Sequence, residues 1–219
     1  MKKITLIHTV KSIYNSFPSL LTSSLGEEVK LTNVVDEILI SNTLEKGEFN
    51  SWNMERLLSD MKCAEEEDSD LLVVTCSSLT PYALLLSSSI NKKVITIDSA
   101  MCRKAAHLGK RILVLATAPT TVKPTMDRIS MELKELNKEA ELISSLRVDA
   151  MDALKRGDEE EHNRILAQEA SKYKDCDVVV LAQASMAIAK GSVEKMGSWT
   201  VLTSPESCIE EIKEFYGQN

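Results

Sequence analysis

The sequence predicts an α/β protein of two pseudo-symmetric, flavodoxin-like lobes, each a parallel sheet flanked by helices, with the active site in the cleft between them. Three observations predict this. Short, nearly continuous apolar runs alternate with stretches of helical period, the pattern of parallel strands covered on both faces. Segments of the first half recur in the same order in the second half. Small polar residues gather just after the apolar runs, where parallel α/β sheets bind ligands.

Taken in chain order, the first strand is Ile4–Ile7, and a weaker one is expected at Val34–Ile40. Met54, Leu57, Leu58, Met61 and Ala64 then form one apolar helical stripe. Strands follow at Leu71–Thr75, Val94–Ile97 and Ile112–Leu115. A second stripe, Met126, Ile129, Leu133 and Leu136, leads to a strand at Glu141–Ser145. A third, Leu166, Ala170 and Tyr173, leads to strands at Val178–Leu181 and Thr200–Leu202. The last helix has a clear start: Ser204 suits the N-cap, Pro205 the first helical position, and Glu206 the positive helix end. Its apolar residues Ile209, Ile212 and Tyr216 face one lobe.

The repeat sets the domain boundaries. "KKITLIHT" (2–9) matches "KRILVLAT" (110–117) at an offset of 108, and "DSDLLVVTCSS" (68–78) matches "DCDVVVLAQAS" (175–185) at 107. "VITIDS" (94–99) has a looser partner in "WTVLTS" (199–204). The expected lobes are 1–98 with 205–219, and 99–204, with the hinge near Asp98–Met101.

Composition narrows the function. The chain is 43% apolar and 27% charged, as an ordinary globular protein is, and carries a net charge of −7. Without a basic face, nucleic acid and anionic membranes are not expected partners. No apolar run approaches the roughly 20 residues of a spanning helix, and the N-terminal run is too short for a signal peptide, so a cytoplasmic location is expected. The five cysteines lack zinc or redox spacing and read as reduced thiols. No metal-ligand spacing, G-x-G-x-x-G or P-loop occurs, so neither a metal nor a nucleotide is implied.

The strand-end rule selects a short list: His8 and Thr9; Cys76, Ser77 and Ser78; Asp98 and Ser99; Thr117, Thr120 and Thr121; Gln183, Ala184 and Ser185; Thr203 and Ser204. The phrase "ATAPTTVKP" (116–124) precedes a helix, where its hydroxyls and free amides could hold an anion; plain helix capping accounts for it equally well. Cys76 ends an apolar strand shortly before Thr80 and Pro81, which read as a helix cap and first position. A positive helix end lowers a thiol pKa from its free value of about 8.5 and favours thiolate, although a buried core thiol would look similar. His8 ends the first strand and could form an acid–base pair with Cys76, or be a loop histidine without a partner. Cys63 and Cys176 precede strands, Cys102 and Cys208 fall in helices, and His107 and His162 read as surface residues.

These residues resemble the aspartate/glutamate racemase superfamily, whose members include glutamate, aspartate and hydantoin racemases, maleate isomerase and arylmalonate decarboxylase. The likeness covers nearly the whole chain in architecture and is carried by "VVTCSSLTP" and "VLATAPTT". It implies a cofactor-independent isomerase acting on a small carboxylate, an amino acid or dicarboxylate, with a homodimer as the family-level expectation. Cys76 would be the first-lobe acid/base or nucleophile with His8 beside it. Thr9, Ser77, Ser78, Thr117, Thr120, Thr121, Gln183, Ala184 and Ser185 would line the substrate. Racemising relatives use two opposed thiols, and here Gln183 stands where the second is usual. An amide cannot exchange a proton in that role. Single-thiol relatives decarboxylate; a carboxylate-binding protein without turnover is the remaining alternative.

Overall fold

The central strands are largely apolar because helices cover both faces of each sheet. The computed structural model describes every residue except 27, 218 and 219, so the last two residues of the expected first lobe lie outside it. The chain forms two compact units, Met1–Ile97 with the segment from Cys208 on, and Asp98–Ser207.

The first unit runs β1 (Lys2–His8), α1 (Lys11–Leu25), β2 (Val29–Val35), α2 (Glu37–Lys46), α3 (Ser51–Glu66), β3 (Leu71–Val74), α4 (Thr80–Leu86) and β4 (Lys93–Thr96). The second runs α5 (Ser99–Leu108), β5 (Arg111–Ala116), α6 (Pro119–Glu135), β6 (Glu141–Leu146), α7 (Val148–Lys155), α8 (Glu159–Ala170), β7 (Val178–Leu181), α9 (Lys190–Glu194) and β8 (Thr200–Thr203). α10 (Ser204–Phe215) starts in the second unit and ends with the first. Each unit is a four-stranded parallel sheet, ordered β2-β1-β3-β4 and β6-β5-β7-β8. Among the described residues, no helix is long and apolar enough to cross a membrane.

The two sheets share a register. Ile4 pairs with Leu71 and Ile112 with Val178; Leu71 pairs with Lys93 and Val178 with Thr200. Lys93 therefore corresponds to Thr200, an offset of 107, and the looser sequence match at 94–99 was two residues out of register. The aspartate opening each third-strand repeat has a specific task. Asp177 Oδ2 accepts the N–H groups of Lys110 and Arg111 at 2.8 and 2.9 Å. Its counterpart, Asp70, accepts the Lys3 N–H at 3.0 Å. Each carboxylate thus clamps the start of the neighbouring central strand and fixes where both strands end.

Packing explains which elements the sequence showed plainly. Every residue of β3, and nearly all of β7, is fully buried. In the second unit Leu113, Leu115, Val179 and Leu181 pack on α7 and α8, while Ile112, Val114, Val178 and Val180 pack on α5 and α6. The edge strand β2 alternates partial burial with exposure and is correspondingly polar. Its expected position, Val34–Ile40, is corrected: the strand ends at Val35, and Ile38, Leu39 and Ile40 lie in α2. The turn falls there because Asp36 Oδ1 accepts the Ile38 N–H at 3.0 Å, capping α2.

Two further expectations change. His162 is fully buried on α8 rather than at the surface. α10 begins at Ser204 itself, whose Oγ is buried without a hydrogen-bond partner among the described residues, and the Thr203 hydroxyl instead lies 3.4 Å from Glu206 Oε2. The far end of α10 returns to the first sheet, where the Tyr216 hydroxyl is 3.3 Å from both the Lys3 carbonyl and Asp70 Oδ2.

The ends of the edge strands carry opposite charges in equivalent places. Asp36 follows β2, its N–H donating to the His8 carbonyl; Arg147 follows β6, its N–H donating to Ala116. Asp36 accepts from Arg56 and lies beside Asp60, whose carboxyl is pushed up to about 6 by burial and by the Asp36 charge and hydrogen bond, against the opposing pull of Arg56. Arg147 instead donates to Glu169 Oε2 at 2.7 Å and to Asp149 Oδ1 at 2.9 Å.

Two outcomes are expected. The Asp177 pKa is lowered by the Arg111 and Lys110 N–H groups, so its contribution to stability is present at neutral pH and is lost as pH falls through the folded-state value. Asp177→Asn should lower the thermal midpoint at pH 7, with the gap to wild type closing on acidification. Asp60 has the reverse sign: the folded state holds its proton more tightly, so stability falls as pH rises from the ordinary 3.8 through about 6. Asp60→Asn should raise the midpoint at pH 8 and leave it unchanged below pH ~4.

Candidate active site

Parallel strands end together, so the shared register delivers a set of polar side chains to one edge of each sheet. In the first unit that edge carries His8 at the end of β1 and Thr9 after it, and Thr75 and Cys76 after β3. Thr75 donates its N–H to the Ile7 carbonyl at 2.9 Å, continuing the pairing one residue beyond the strand. Cys76 then caps a single 3-10 turn, Ser77–Leu79, which runs directly into α4. The expected helix start shifts accordingly: Leu79 occupies the cap position, Thr80 begins α4, and Pro81 lies in its first turn.

Cys76 is the only cysteine at a strand's carboxyl end. It is half-buried, whereas Cys102, Cys176 and Cys208 are buried and Cys63 is exposed on α3, before β3. Burial also pushes the Cys102 and Cys176 thiols up, away from thiolate. Ser77 and Ser78 follow Cys76 and are themselves buried.

His8 is wholly enclosed. Its Nε2 lies 3.0 Å from Asn33 Oδ1 and its Nδ1 2.8 Å from the Thr75 hydroxyl, while the Tyr14 ring meets it edge-on at 5.7 Å. Burial lowers its pKa from 6.5, so the ring is neutral at pH 7. The Thr75 hydroxyl also lies 3.1 Å from the Ile7 carbonyl, so the His8 ring and the β1 backbone together hold Thr75, the residue before Cys76. Sequence reading missed Thr75 and Asn33. Thr75 looks like the end of an apolar run, and Asn33 precedes the apolar residues that mark β2 in the sequence.

Thr9 differs from its neighbours. It is 2% exposed, and its Oγ1 is buried with no hydrogen-bond partner among the described residues. It immediately precedes Val10, the cap of α1, a helix with no side-chain cap and no acidic residue in its first turn. A buried hydroxyl beside uncapped helical N–H groups is a donor set suited to a carboxylate.

The corresponding edge of the second unit is built from Thr117, Thr121 and Gln183. Gln183 is 8% exposed and takes the same extended cap conformation ahead of a 3-10 stretch, Ala184–Ala189, as Cys76 does in its own unit. Its Oε1 accepts from the Thr117 N–H at 2.9 Å and lies 3.4 Å from the Thr117 hydroxyl. Its Nε2 donates to Thr121 Oγ1 and lies 3.4 Å from the Ala118 carbonyl. Thr121 in turn donates to the Ala118 carbonyl at 2.8 Å. The amide is therefore satisfied on both ends by its own unit. Thr120, Ala184 and Ser185 lie at the same edge and are partly exposed. Among the described residues, no cluster of three or more His, Cys, Asp or Glu side chains is placed to hold a metal ion.

Comparison with solved structures places this fold. An aspartate racemase homologue from Pyrococcus horikoshii aligns over 99% of this chain and 100% of its own at 16% identity, with a TM-score of 0.71. Allantoin racemase from Klebsiella pneumoniae aligns over 99% and 88% at 16% identity and 0.69. Glutamate racemase from Francisella tularensis aligns over 100% and 81% at 12% identity and 0.72. No curated protein sequence matches the chain significantly. The sequence profile described as Asp/Glu/Hydantoin racemase matches residues 6–211, from within β1 to within α10. That span takes in most of both units and the Cys76 and Gln183 strand ends, and the chain belongs to the Asp/Glu/Hydantoin racemase family.

Proposed function

We propose that the chain is a cofactor-independent isomerase or lyase acting on a small carboxylate, with Cys76 as its acid/base or nucleophile. Membership of a racemase family supports the reaction class. The observation that carries the assignment to Cys76 is the contrast between equivalent strand ends. At position 183 a long amide bonds to Thr117 and Thr121. At position 76 the side chain is a half-buried thiol, and Thr9, the counterpart of Thr117, keeps a buried hydroxyl with no hydrogen-bond partner among the described residues.

In this reading the Thr9 hydroxyl and the N–H groups opening α1 hold the substrate carboxylate, as do Ser77 and Ser78. The negative charge that builds up on that carboxylate when the α-carbon loses its proton is stabilised by those donors. Cys76 thiolate takes the α-proton to become the thiol, and returning a proton regenerates the thiolate. Gln183, at the equivalent strand end of its own unit, can do neither, so proton transfer is assigned to Cys76 alone. If the bond broken is instead to a carboxyl group, carbon dioxide leaves with its carbon, the electron pair stays on the α-carbon, and the Cys76 thiol proton ends there. His8 acts through Thr75 as a positioning residue.

Two measurements test this. In deuterium oxide, wild type should exchange the α-proton of its substrate with retention of configuration, or release carbon dioxide from a malonate with one-handed protonation. Cys76→Ala should lose about 10²- to 10⁴-fold of either rate. Undiminished activity in Cys76→Ala, or rapid inversion by wild type, would contradict the assignment; tight binding without turnover by wild type would favour a binding protein. His8→Asn should slow turnover while keeping the pH limb that belongs to Cys76. Loss of that limb would make His8 itself the titrating group.

A further inference from the structure

The hairpin of α2 and α3 projects past the strand ends of the first unit. Asp36 marks the height of that edge, since it follows β2 directly and its N–H donates to the His8 carbonyl at 2.8 Å. Arg56, which pairs with Asp36, is the sixth residue of α3. Beyond it the helix packs on the sheet, with Leu57, Met61 and Ala64 buried in the cluster that holds Ile7 and Val74. The start of α3, and the turn at 47–50 that joins the two helices, therefore stand clear of the strand ends. Asn53, wholly buried, ties this part together: its Nδ2 donates to the Leu39 carbonyl at 3.0 Å and to the Thr43 hydroxyl at 2.9 Å. Asn50 Oδ1 accepts the Asn53 N–H at 3.1 Å and caps α3.

The tip of the hairpin reaches α4. The Phe49 ring stacks on the Tyr82 ring, with centroids 4.0 Å apart and planes at 18°. The hairpin thus leaves the sheet at β2 and lands on the helix that follows β3. The order β2-β1-β3 puts two strand spacings, about 10 Å, between those points. Bridged in this way is the end of β3, where Cys76 opens the 3-10 turn. Cys76, Phe49 and Tyr82 are half-buried against one cluster, which includes Val74, Leu79 and Ala83, so the tip and the thiol share one face of the sheet. We propose that the α2–α3 hairpin is a lid on the Cys76 strand end, latched by the Phe49–Tyr82 stack, which makes these two aromatic residues the size selectors for what reaches the thiol. A buried carboxylate–guanidinium pair holds the base, whereas the tip meets α4 through a ring contact that adds little beyond its buried area, so the tip opens first. The lid governs access to Cys76 and is independent of the reaction the thiol carries out.

Peptide-resolved alkylation of the full chain reads the lid directly, with N-ethylmaleimide as the small reagent and N-pyrenylmaleimide as the bulky one. Each Cys76 rate is taken relative to that of exposed Cys63 in the same molecule. In wild type this ratio should be at least tenfold lower for the bulky reagent than for the small one. Phe49→Ala and Tyr82→Ala should each raise the bulky-reagent ratio at least tenfold, and the double variant no further than the larger single, because both remove one latch. Phe49→Leu keeps an apolar contact with the core but removes the stack, and shows the same rise if the smaller residue disturbs folding. A wild-type ratio that ignores reagent size, or a Phe49→Leu ratio equal to wild type, would overturn the proposal. Turnover keeps the two ideas apart. A size-gated thiol opened by Phe49→Leu, with turnover undiminished in Cys76→Ala, would uphold the lid and defeat the catalytic assignment. Lost turnover in Cys76→Ala with no size gate would do the reverse.

Discussion

The pairing of β1 with β3, and of β5 with β7, decides where every polar group at the carboxyl edges stands. These strands are only a few residues long, so a slip of one residue would turn each side chain to the opposite face. The carboxylates of Asp70 and Asp177 guard against this by gripping the backbone of the neighbouring strand at its start. With the start held and the strands buried on both sides, Thr75–Cys76 and Ala182–Gln183 must emerge at the same height above their sheets. The chemistry of each edge then depends on which side chain is placed there.

The two edges use the same backbone for different ends. A strand followed by a cap residue and a 3-10 turn can present a thiol with a short reach, or an amide long enough to fold back on the preceding β5–α6 turn. Cys76 has a shorter reach than Gln183, and in its unit the Thr9 hydroxyl has no hydrogen-bond partner among the described residues. A buried hydroxyl without a partner costs about 1–3 kcal/mol. Such a cost is typical of sites that take a ligand. Gln183 removes the equivalent cost in its own unit.

Much of this was legible in the residues. The central strands declared themselves because burial on both faces demands continuous apolar runs, and the repeat appeared because both units need the same aspartate clamp and the same register. Cys76 and Gln183 were aligned from the sequence for that reason. Less visible were features set by one hydrogen bond. β2 is an edge strand with a mixed surface, so its boundary lay in the Asp36 cap rather than in hydrophobicity. Ser204 has the composition of an N-cap, yet the helix starts a residue earlier and buries it. His162 sits in an acidic, surface-like phrase but faces inward. Gln183 is expected among the substrate-binding residues from its place at a strand end; the hydrogen bonds of its amide to Thr117 and Thr121 depend on a side-chain rotamer, which no spacing encodes.

The central claim is that the first unit's strand end is the reactive one and recognises a carboxylate. It is tested most directly by peptide-resolved alkylation of the native protein with iodoacetamide, with and without sodium propionate. Cys63, exposed at the far end of α3, is the internal control. Cys76 should alkylate faster than Cys63 despite its smaller exposure, and propionate should protect Cys76 alone. A Cys76 that reacts no faster than Cys63 and ignores propionate would contradict the account.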